Sequence, residues 1–139
     1  MTNPEILNED GVTTANLTDV FKRAFFKTTI DGDGDLVVHS DGPRVIVTIN
    51  DKNNLLRFMS VYGLKESAAE ELKYVLANRI NDRIILARFS VARADVLMAD
   101  YYLPFEGGIP TFQIVIALRL FARVVLDAIR SCDDDSIVE

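Results

Sequence analysis

The chain is poor in the residue types that carry covalent chemistry or cross-linking. Its 139 residues include a single cysteine, Cys132, and a single histidine, His39. One cysteine cannot form an internal disulfide, so nothing points to an oxidising compartment and a cytoplasmic location is expected. The sequence also shows no metal-ligand spacing, phosphate loop or nucleophile beside a base. We therefore predict no catalytic, cofactor-binding or metal-binding residues.

Long apolar segments and an excess of positive charge are also missing. The longest apolar run covers residues 114–118, whereas a membrane-spanning helix needs about 20 residues. The N-terminus has neither a basic region nor an apolar stretch, so it does not have the pattern of a signal peptide. The net charge is −6 and the pI is about 4.8, so the average surface repels phosphate backbones. Neither a membrane nor a nucleic acid is expected as a partner.

What the chain does contain is the composition of one globular domain with a surplus of apolar residues. Hydrophobic residues make up 49% and charged residues 26%, and this apolar excess is consistent with an interface. The absence of an internal repeat excludes solenoids and propellers. The expected boundaries are a flexible N-terminal arm over residues 1–16, a domain over 17–131 and an acidic tail over 132–139.

The first half of the domain reads as one helix followed by several strands. Thr18 and Asp19 are expected to cap a helix that starts near Leu17 and ends near Lys27. The acidic, glycine-containing sequence at residues 31–35 is typical of a hairpin turn. Alternating apolar and polar residues predict an antiparallel meander. Its strands are predicted at residues 28–30, 36–38, 45–49 and 55–62.

The second half reads as a helix, a hairpin and a long final helix. Ser67 and Glu70 form a capping-box pattern that predicts the start of a helix ending near Asn81. Its apolar face is predicted to comprise Ala68, Leu72, Val75, Leu76 and Ile80. Strands are predicted at residues 84–91 and 96–103, and Pro110 marks the first turn of a helix that continues to about Ser131. The predicted fold is a single α+β domain with the order α-β-β-β(-β)-α-β-β-α.

Three features in this order resemble the bacterial YbjN-like family. They are the asparagines Asn78 and Asn81 at the end of the middle helix, the strand pair that follows, and the G-G-I-P sequence at residues 107–110 that leads into the long helix. The resemblance covers residues 17–131. It implies an antiparallel sheet packed by helices, similar to type III secretion chaperones and often dimeric. It also implies a regulatory or chaperone-like role in bacterial sensory transduction without an established enzymatic activity.

The acidic turn invites a calcium-binding interpretation that its spacing does not support. Asp31, Asp33 and Asp35 match the first three ligand positions of an EF-hand loop. The sixth position requires glycine and is Leu36, and the twelfth requires glutamate and is Gly42. An acidic hairpin turn is the favoured interpretation.

Two other groups of polar residues suggest catalysis by their types but not by their spacing. His39, Ser40 and Asp41 are adjacent, and successive strand residues point to opposite faces, so they cannot form a catalytic triad. Asp95 and Asp100 are the plausible carboxylate pair for the alternative function, a small ligand-binding or enzymatic domain. Five residues apart on a strand, they are expected to point to opposite faces as well.

The two asparagines that end the middle helix leave two interpretations open. The amides of Asn78 and Asn81 could tie the end of the helix to the next strand, or they could serve as a binding contact. Asparagine near a helix end is usually a local cap, which favours the structural interpretation.

The last helix carries more apolar surface than one sheet can cover. On a helical wheel its polar stripe comprises Arg119, Arg123, Asp127 and Arg130. Phe112, Ile116 and Leu120 lie on or beside this stripe rather than on the core side. We therefore predict that these three residues form an interface. The predicted function is a non-enzymatic protein-interaction module, chaperone-like or regulatory, that forms a homodimer and binds a segment of another protein.

Overall fold

The computed structural model describes residues 5–139, which form three helices, a six-stranded antiparallel sheet and a small two-stranded sheet. The strands are β1 (Ile6–Leu7), β2 (Lys27–Ile30), β3 (Leu36–His39), β4 (Arg44–Asn50), β5 (Leu55–Gly63), β6 (Arg88–Arg93), β7 (Val96–Pro104) and β8 (Ile109–Pro110). The helices are α1 (Thr14–Arg23), α2 (Glu70–Arg83) and α3 (Thr111–Cys132). The predicted α+β class is confirmed.

The large sheet has the order β2-β3-β4-β5-β7-β6, so the first four strands form the predicted meander and β7 lies between β5 and β6. Alternate strand residues pack in one core with the apolar faces of all three helices. Phe58 in β5, for example, is fully buried, and its ring centroid lies 6.1 Å from that of Phe121 in α3. The helices therefore share one face of the sheet.

The predicted starts of α1 and α2 were wrong in their details. Thr13 caps α1, because its hydroxyl accepts from the Asn16 N–H at 3.1 Å. Thr18 and Asp19 lie inside this helix, which ends at Arg23 rather than near Lys27. The capping box did not form either, because α2 begins at Glu70 and follows Ala69 without a side-chain cap.

The apolar face of α2 and the strand after it also differ from the prediction. Leu72 and Val75 are 37% and 46% exposed, whereas Lys73 is buried and donates to the Ala94 carbonyl in the β6–β7 turn. The predicted strand start at residue 84 was wrong, because β6 begins only at Arg88. Residues 84–87 form an irregular connection in which Leu86 has φ +81 and Ile85 is 85% exposed. The prediction relied on the apolar composition of residues 84–87 and therefore placed the start of the strand too close to α2.

The predicted arm and tail pack against the domain wherever the structure describes them. Residues 1–4 of the arm lie outside the described residues. β1 pairs with β8, and the Thr111 N–H donates to the Glu5 carbonyl at 2.9 Å. In the tail Ile137 is buried, and both carboxylate oxygens of Asp133 accept backbone N–H groups of residues 137 and 138. The flexibility of the arm and tail, and hence the domain boundaries, stay predictions.

None of the helices within residues 5–139 combines the length and the apolarity that crossing a membrane requires.

Candidate interaction surfaces

The C-terminus of α1 projects a phenylalanine into solvent from a left-handed backbone conformation. The N–H groups of Phe25 and Phe26 donate to the carbonyls of Lys22 and Phe21, each at 3.0 Å, which is the Schellman arrangement that ends many helices. The left-handed position of this motif is usually glycine, but here it is Phe25 with φ +70. Its side chain is 96% exposed, so no burial of this ring stabilises the strained conformation within one chain.

The neighbouring ring, Phe26, is packed against the domain. Phe26 contacts Phe21 edge to face, with ring centroids 6.0 Å apart. The Arg119 guanidinium of α3 lies 5.3 Å from the centre of the Phe26 ring, and its Nη2 donates to the Ala24 carbonyl at 3.3 Å. Arg119 therefore joins α3 to the end of α1 beside the exposed Phe25.

An apolar groove separates the C-terminus of α1 from the first turns of α3. We name it the α1–α3 groove, and its volume is about 450 Å³. It is lined by Val20, Arg23, Ala24, Phe25, Thr111, Phe112, Val115, Ile116 and Arg119. The structure thus brings two of the three predicted interface residues together at this groove. Phe112 and Ile116 are each 55% exposed, whereas Leu120 is half-buried and does not line it.

An ion cluster around one buried carboxylate occupies the face of the sheet opposite the helices. Asp100 in β7 is 1% exposed. Its Oδ2 accepts from Arg57 Nη2 at 2.8 Å and from Arg88 Nη2 at 2.9 Å, and its Oδ1 accepts from Arg88 Nε at 3.0 Å. Both guanidinium carbons also lie within 6.0 Å of the centre of the Tyr102 ring. The two arginines are therefore held in place by one carboxylate.

The electrostatics of this cluster keep Asp100 ionised. Burial by itself raises the pKa of Asp100, but the hydrogen bonds and positive charges of Arg88 and Arg57 outweigh burial and lower the pKa below its ordinary value. Hydrogen bonding to Asp100 likewise raises the pKa of Arg88. A carboxylate neutralised by two arginines is a poor general acid or base at neutral pH.

The structure does not bring the other suspected catalytic residues together. Asp95 lies exposed in the β6–β7 turn, away from the ion cluster of Asp100. The His39 ring nitrogen Nε2 lies 3.0 Å from the Thr29 hydroxyl, whereas the Ser40 hydroxyl donates to the Pro43 carbonyl at 2.6 Å. Neither pair of contacts links the histidine to the serine as catalysis would require.

The acidic turn and the cysteine both lie in surroundings typical of residues that support the fold. Carboxylate oxygens of Asp31, Asp33 and Asp35 lie within 4.8 Å of one another. Oδ1 of Asp31 accepts the backbone N–H groups of Asp33 and Asp35, each at 2.9 Å, which is how aspartate closes a tight turn. Cys132 is buried at the end of α3, where its thiol is shielded from solvent.

Asn81 ties the end of α2 to the outer edge of the sheet. Its side-chain Nδ2 donates to the Phe89 carbonyl at 2.8 Å, and its Oδ1 accepts from the Phe89 N–H at 2.9 Å. The amide thus takes the place that a neighbouring strand would occupy beside β6. The structural interpretation of Asn81 is confirmed. Asn78 is exposed and makes no side-chain hydrogen bond within residues 5–139.

Sequence reasoning missed Phe25 and the partners of Asp100. A phenylalanine in a left-handed conformation has no sequence signature, because glycine is the usual signal for that position. Strand alternation could have placed Arg57 and Asp100 on the face opposite the core. It could not have placed them on neighbouring strands, since the register between β5 and β7 depends on the helix and strand inserted between them.

Comparison with known proteins assigns the family. No curated protein sequence matches this chain. A solved structure described as "Crystal structure of YbjN, a putative transcription regulator from E. coli" superimposes with a TM-score of 0.73 at 14% identity, covering 91% of this chain and 96% of that one. At this identity the likeness shows the fold alone. The profile of the YbjN family, described as "Putative bacterial sensory transduction regulator", matches residues 13–134. This match spans most of the domain, and the chain therefore belongs to the YbjN family.

Proposed function

We propose that this protein is a non-enzymatic regulatory module that acts through protein–protein contacts and self-associates into a homodimer across the α1–α3 groove. The observation that carries the proposal is Phe25, whose ring is 96% exposed although its backbone conformation is unfavourable for a side chain of this size. Strained backbone conformations of this kind are found mainly at sites where they contribute to function. Burial of the ring in a second copy gives a physical reason for a phenylalanine at this position.

The groove and the projecting ring suit a two-fold arrangement. One chain carries both the projecting Phe25 and, beside it, an apolar groove floored by Phe112 and Ile116. In a two-fold dimer the same patch faces itself, so each Phe25 can enter the groove of the partner subunit. A second copy is therefore the occupant that this surface favours.

The enzymatic alternative loses its main support. It depended on Asp95 and Asp100, and Asp100 is instead held in ion pairs with Arg57 and Arg88. The family description, a regulator of sensory transduction, agrees with a non-enzymatic role. The chaperone-like aspect of that role and the cytoplasmic location stay predictions.

The test is the solution mass of the protein, measured by light scattering after size-exclusion chromatography over a range of concentrations. Ile116→Glu should convert the dimer to a monomer, because a carboxylate buried in an apolar contact is strongly unfavourable. The fold should survive, since Ile116 is 55% exposed in one chain.

Ile85→Glu is the matched control, because it introduces the same charge at an 85% exposed isoleucine far along the chain from the groove. It should leave the mass unchanged. A wild-type protein that is monomeric at all concentrations, or a dimer that Ile116→Glu leaves intact, would rule out this interface.

A further inference from the structure

The six-stranded sheet has a second face that the helices do not use. The core residues of β3–β7 point towards α1, α2 and α3, so the alternate residues of these strands point the other way. We name this side the open face. One row of it crosses all six strands through directly paired residues. The row consists of Thr29, Val37, Ile46, Met59, Asp100 and Arg88.

The open face carries a charge opposite to that of the whole chain. Its regularly paired strand positions include four basic side chains and one carboxylate, a formal charge of +3, whereas the chain as a whole carries −6. The basic residues are Lys27, Arg44, Arg57 and Arg88, and the carboxylate is Asp100. Positive charge is thus concentrated on one side of an acidic protein.

The same face is apolar at its centre. Val61 is 52% exposed, and Ile46, Met59 and Met98 are partly exposed beside it. Methionine side chains adapt their shape to different apolar partners. An apolar centre flanked by fixed guanidinium groups has the composition of a protein-binding surface.

A depression lies at the edge of the apolar centre, beside one of the basic residues. It has a volume of about 350 Å³, and the open-face residues Arg44, Ile46 and Val61 are among those that line it. It offers room for an acidic side chain beside the Arg44 guanidinium.

We propose that the open face binds a segment of another protein that carries both carboxylate and apolar side chains, with one carboxylate placed beside Arg44. The proposal rests on the function proposed above, a module that acts through protein contacts, and it assigns a surface and a partner chemistry. Two copies of this face are not expected to pair with each other, because two faces of charge +3 repel.

A nucleic acid is the less favoured partner for this face. The whole chain is acidic, which opposes approach of a phosphate backbone. Recognition of single strands also relies on several stacking aromatic residues. Among the strand residues of the open face, Tyr102 is the one aromatic side chain.

The experiment uses a short fluorescent peptide composed of Glu and Leu, with a Lys/Leu peptide and a single-stranded DNA oligonucleotide as competing probes. Binding is measured by fluorescence anisotropy, and the contacted residues are mapped by amide chemical-shift changes. The Glu/Leu peptide should bind, should shift the amides of β4, β5 and β7, and should bind more weakly as salt is added. Arg44→Glu should weaken binding about tenfold through charge reversal at an exposed position.

One control separates the charge of Arg44 from general electrostatic effects. Arg83→Glu makes the same charge change at an exposed residue of α2 and should leave the affinity unchanged.

Three outcomes would overturn the proposal: no binding of the Glu/Leu peptide, shifts confined to the α1–α3 groove, or tighter binding of DNA to the open face. Repeating the titration with Ile116→Glu separates this proposal from the dimer. If the variant is monomeric and still binds the peptide, the two surfaces act independently. If the wild type is monomeric, the dimer fails, and the peptide result decides the open face by itself.

Discussion

At the scale of single residues, Phe25 combines a strained backbone conformation with an exposed side chain. A left-handed conformation costs a non-glycine residue about 1 kcal/mol, and the 96% exposed ring of Phe25 recovers none of this within one chain. Phe25→Gly should therefore raise the free energy of unfolding of the monomer by about 1 kcal/mol while it abolishes dimerisation. Chemical denaturation below the dissociation concentration measures the first effect, and light scattering measures the second.

Phe25→Ala separates the two effects because it removes the ring and keeps the strain. This variant should lose the dimer without the gain in stability. A stable dimer in either variant would show that the exposed ring has another role.

Asp100 gives a prediction about acid stability. Its pKa in the folded protein lies below the ordinary value of about 3.8. Its ion pairs therefore stabilise the fold fully above that value and lose this contribution as the pH falls through the lowered pKa. Asp100→Asn removes the charge that pairs with both arginines and should cost about 1–2 kcal/mol at pH 7, because the Arg57 and Arg88 side chains are 27% and 66% exposed and stay hydrated. Urea unfolding at pH 7 and at acidic pH should show that the difference between wild type and variant shrinks in acid. A constant difference would contradict the role assigned to the cluster.

At the scale of elements, one side-chain amide of α2, that of Asn81, covers the backbone at one edge of the sheet. Asn81→Ala frees the Phe89 N–H and carbonyl, which Asn81 otherwise satisfies. It should lower the free energy of unfolding by about 1–2 kcal/mol and promote aggregation through the uncovered strand. Denaturant unfolding and light scattering during incubation measure these effects. Asn78→Ala, one helical turn away and without such a bond, should change neither.

Elements that alternate regularly could be predicted from the sequence, whereas their junctions could not. The meander, β7 and α3 follow from periodicity, and the structure agrees with them to within one or two residues. The predicted start of β6 was wrong because the apolar residues after Arg83 belong to a connection in which Leu86 has φ +81. The predicted capping box at Ser67 was wrong because Ala69 is the residue that precedes the helix. Local patterns compete at such junctions, and tertiary contacts decide between them.

At the scale of the whole molecule, carboxylates tie the described part of the N-terminal segment and the C-terminal tail to the domain. Oε1 of Glu9 accepts from the Gly107 N–H at 2.7 Å, and Asp133 accepts two backbone N–H groups in the tail. Asp133→Ala should release Ile137 from its buried position and lower the free energy of unfolding by about 1–2 kcal/mol. Faster hydrogen exchange at residues 137–139 would report the release. Asp135→Ala, an exposed neighbour without such bonds, is the control.

The candidate surfaces were harder to predict than the fold because they depend on contacts between distant segments. The helical wheel of α3 correctly predicted that Phe112 and Ile116 are exposed, since periodicity within one helix is a local property. Phe25 lies beside them only because α1 packs beside α3. The ion cluster required residues 57, 88 and 100 to meet across three strands. The sequence thus predicts which residues are candidates, and the topology selects those that act together.

The insertion of β7 between β5 and β6 has a consequence for synthesis on the ribosome. The strands β2–β5 are consecutive, so they can pair as soon as they emerge, but the free edge of β5 finds its partner only after α2, β6 and β7 have followed. During this interval the growing chain exposes the backbone of a nine-residue strand. Slow translation of residues 64–104 would prolong that exposure and favour pairing between neighbouring nascent chains.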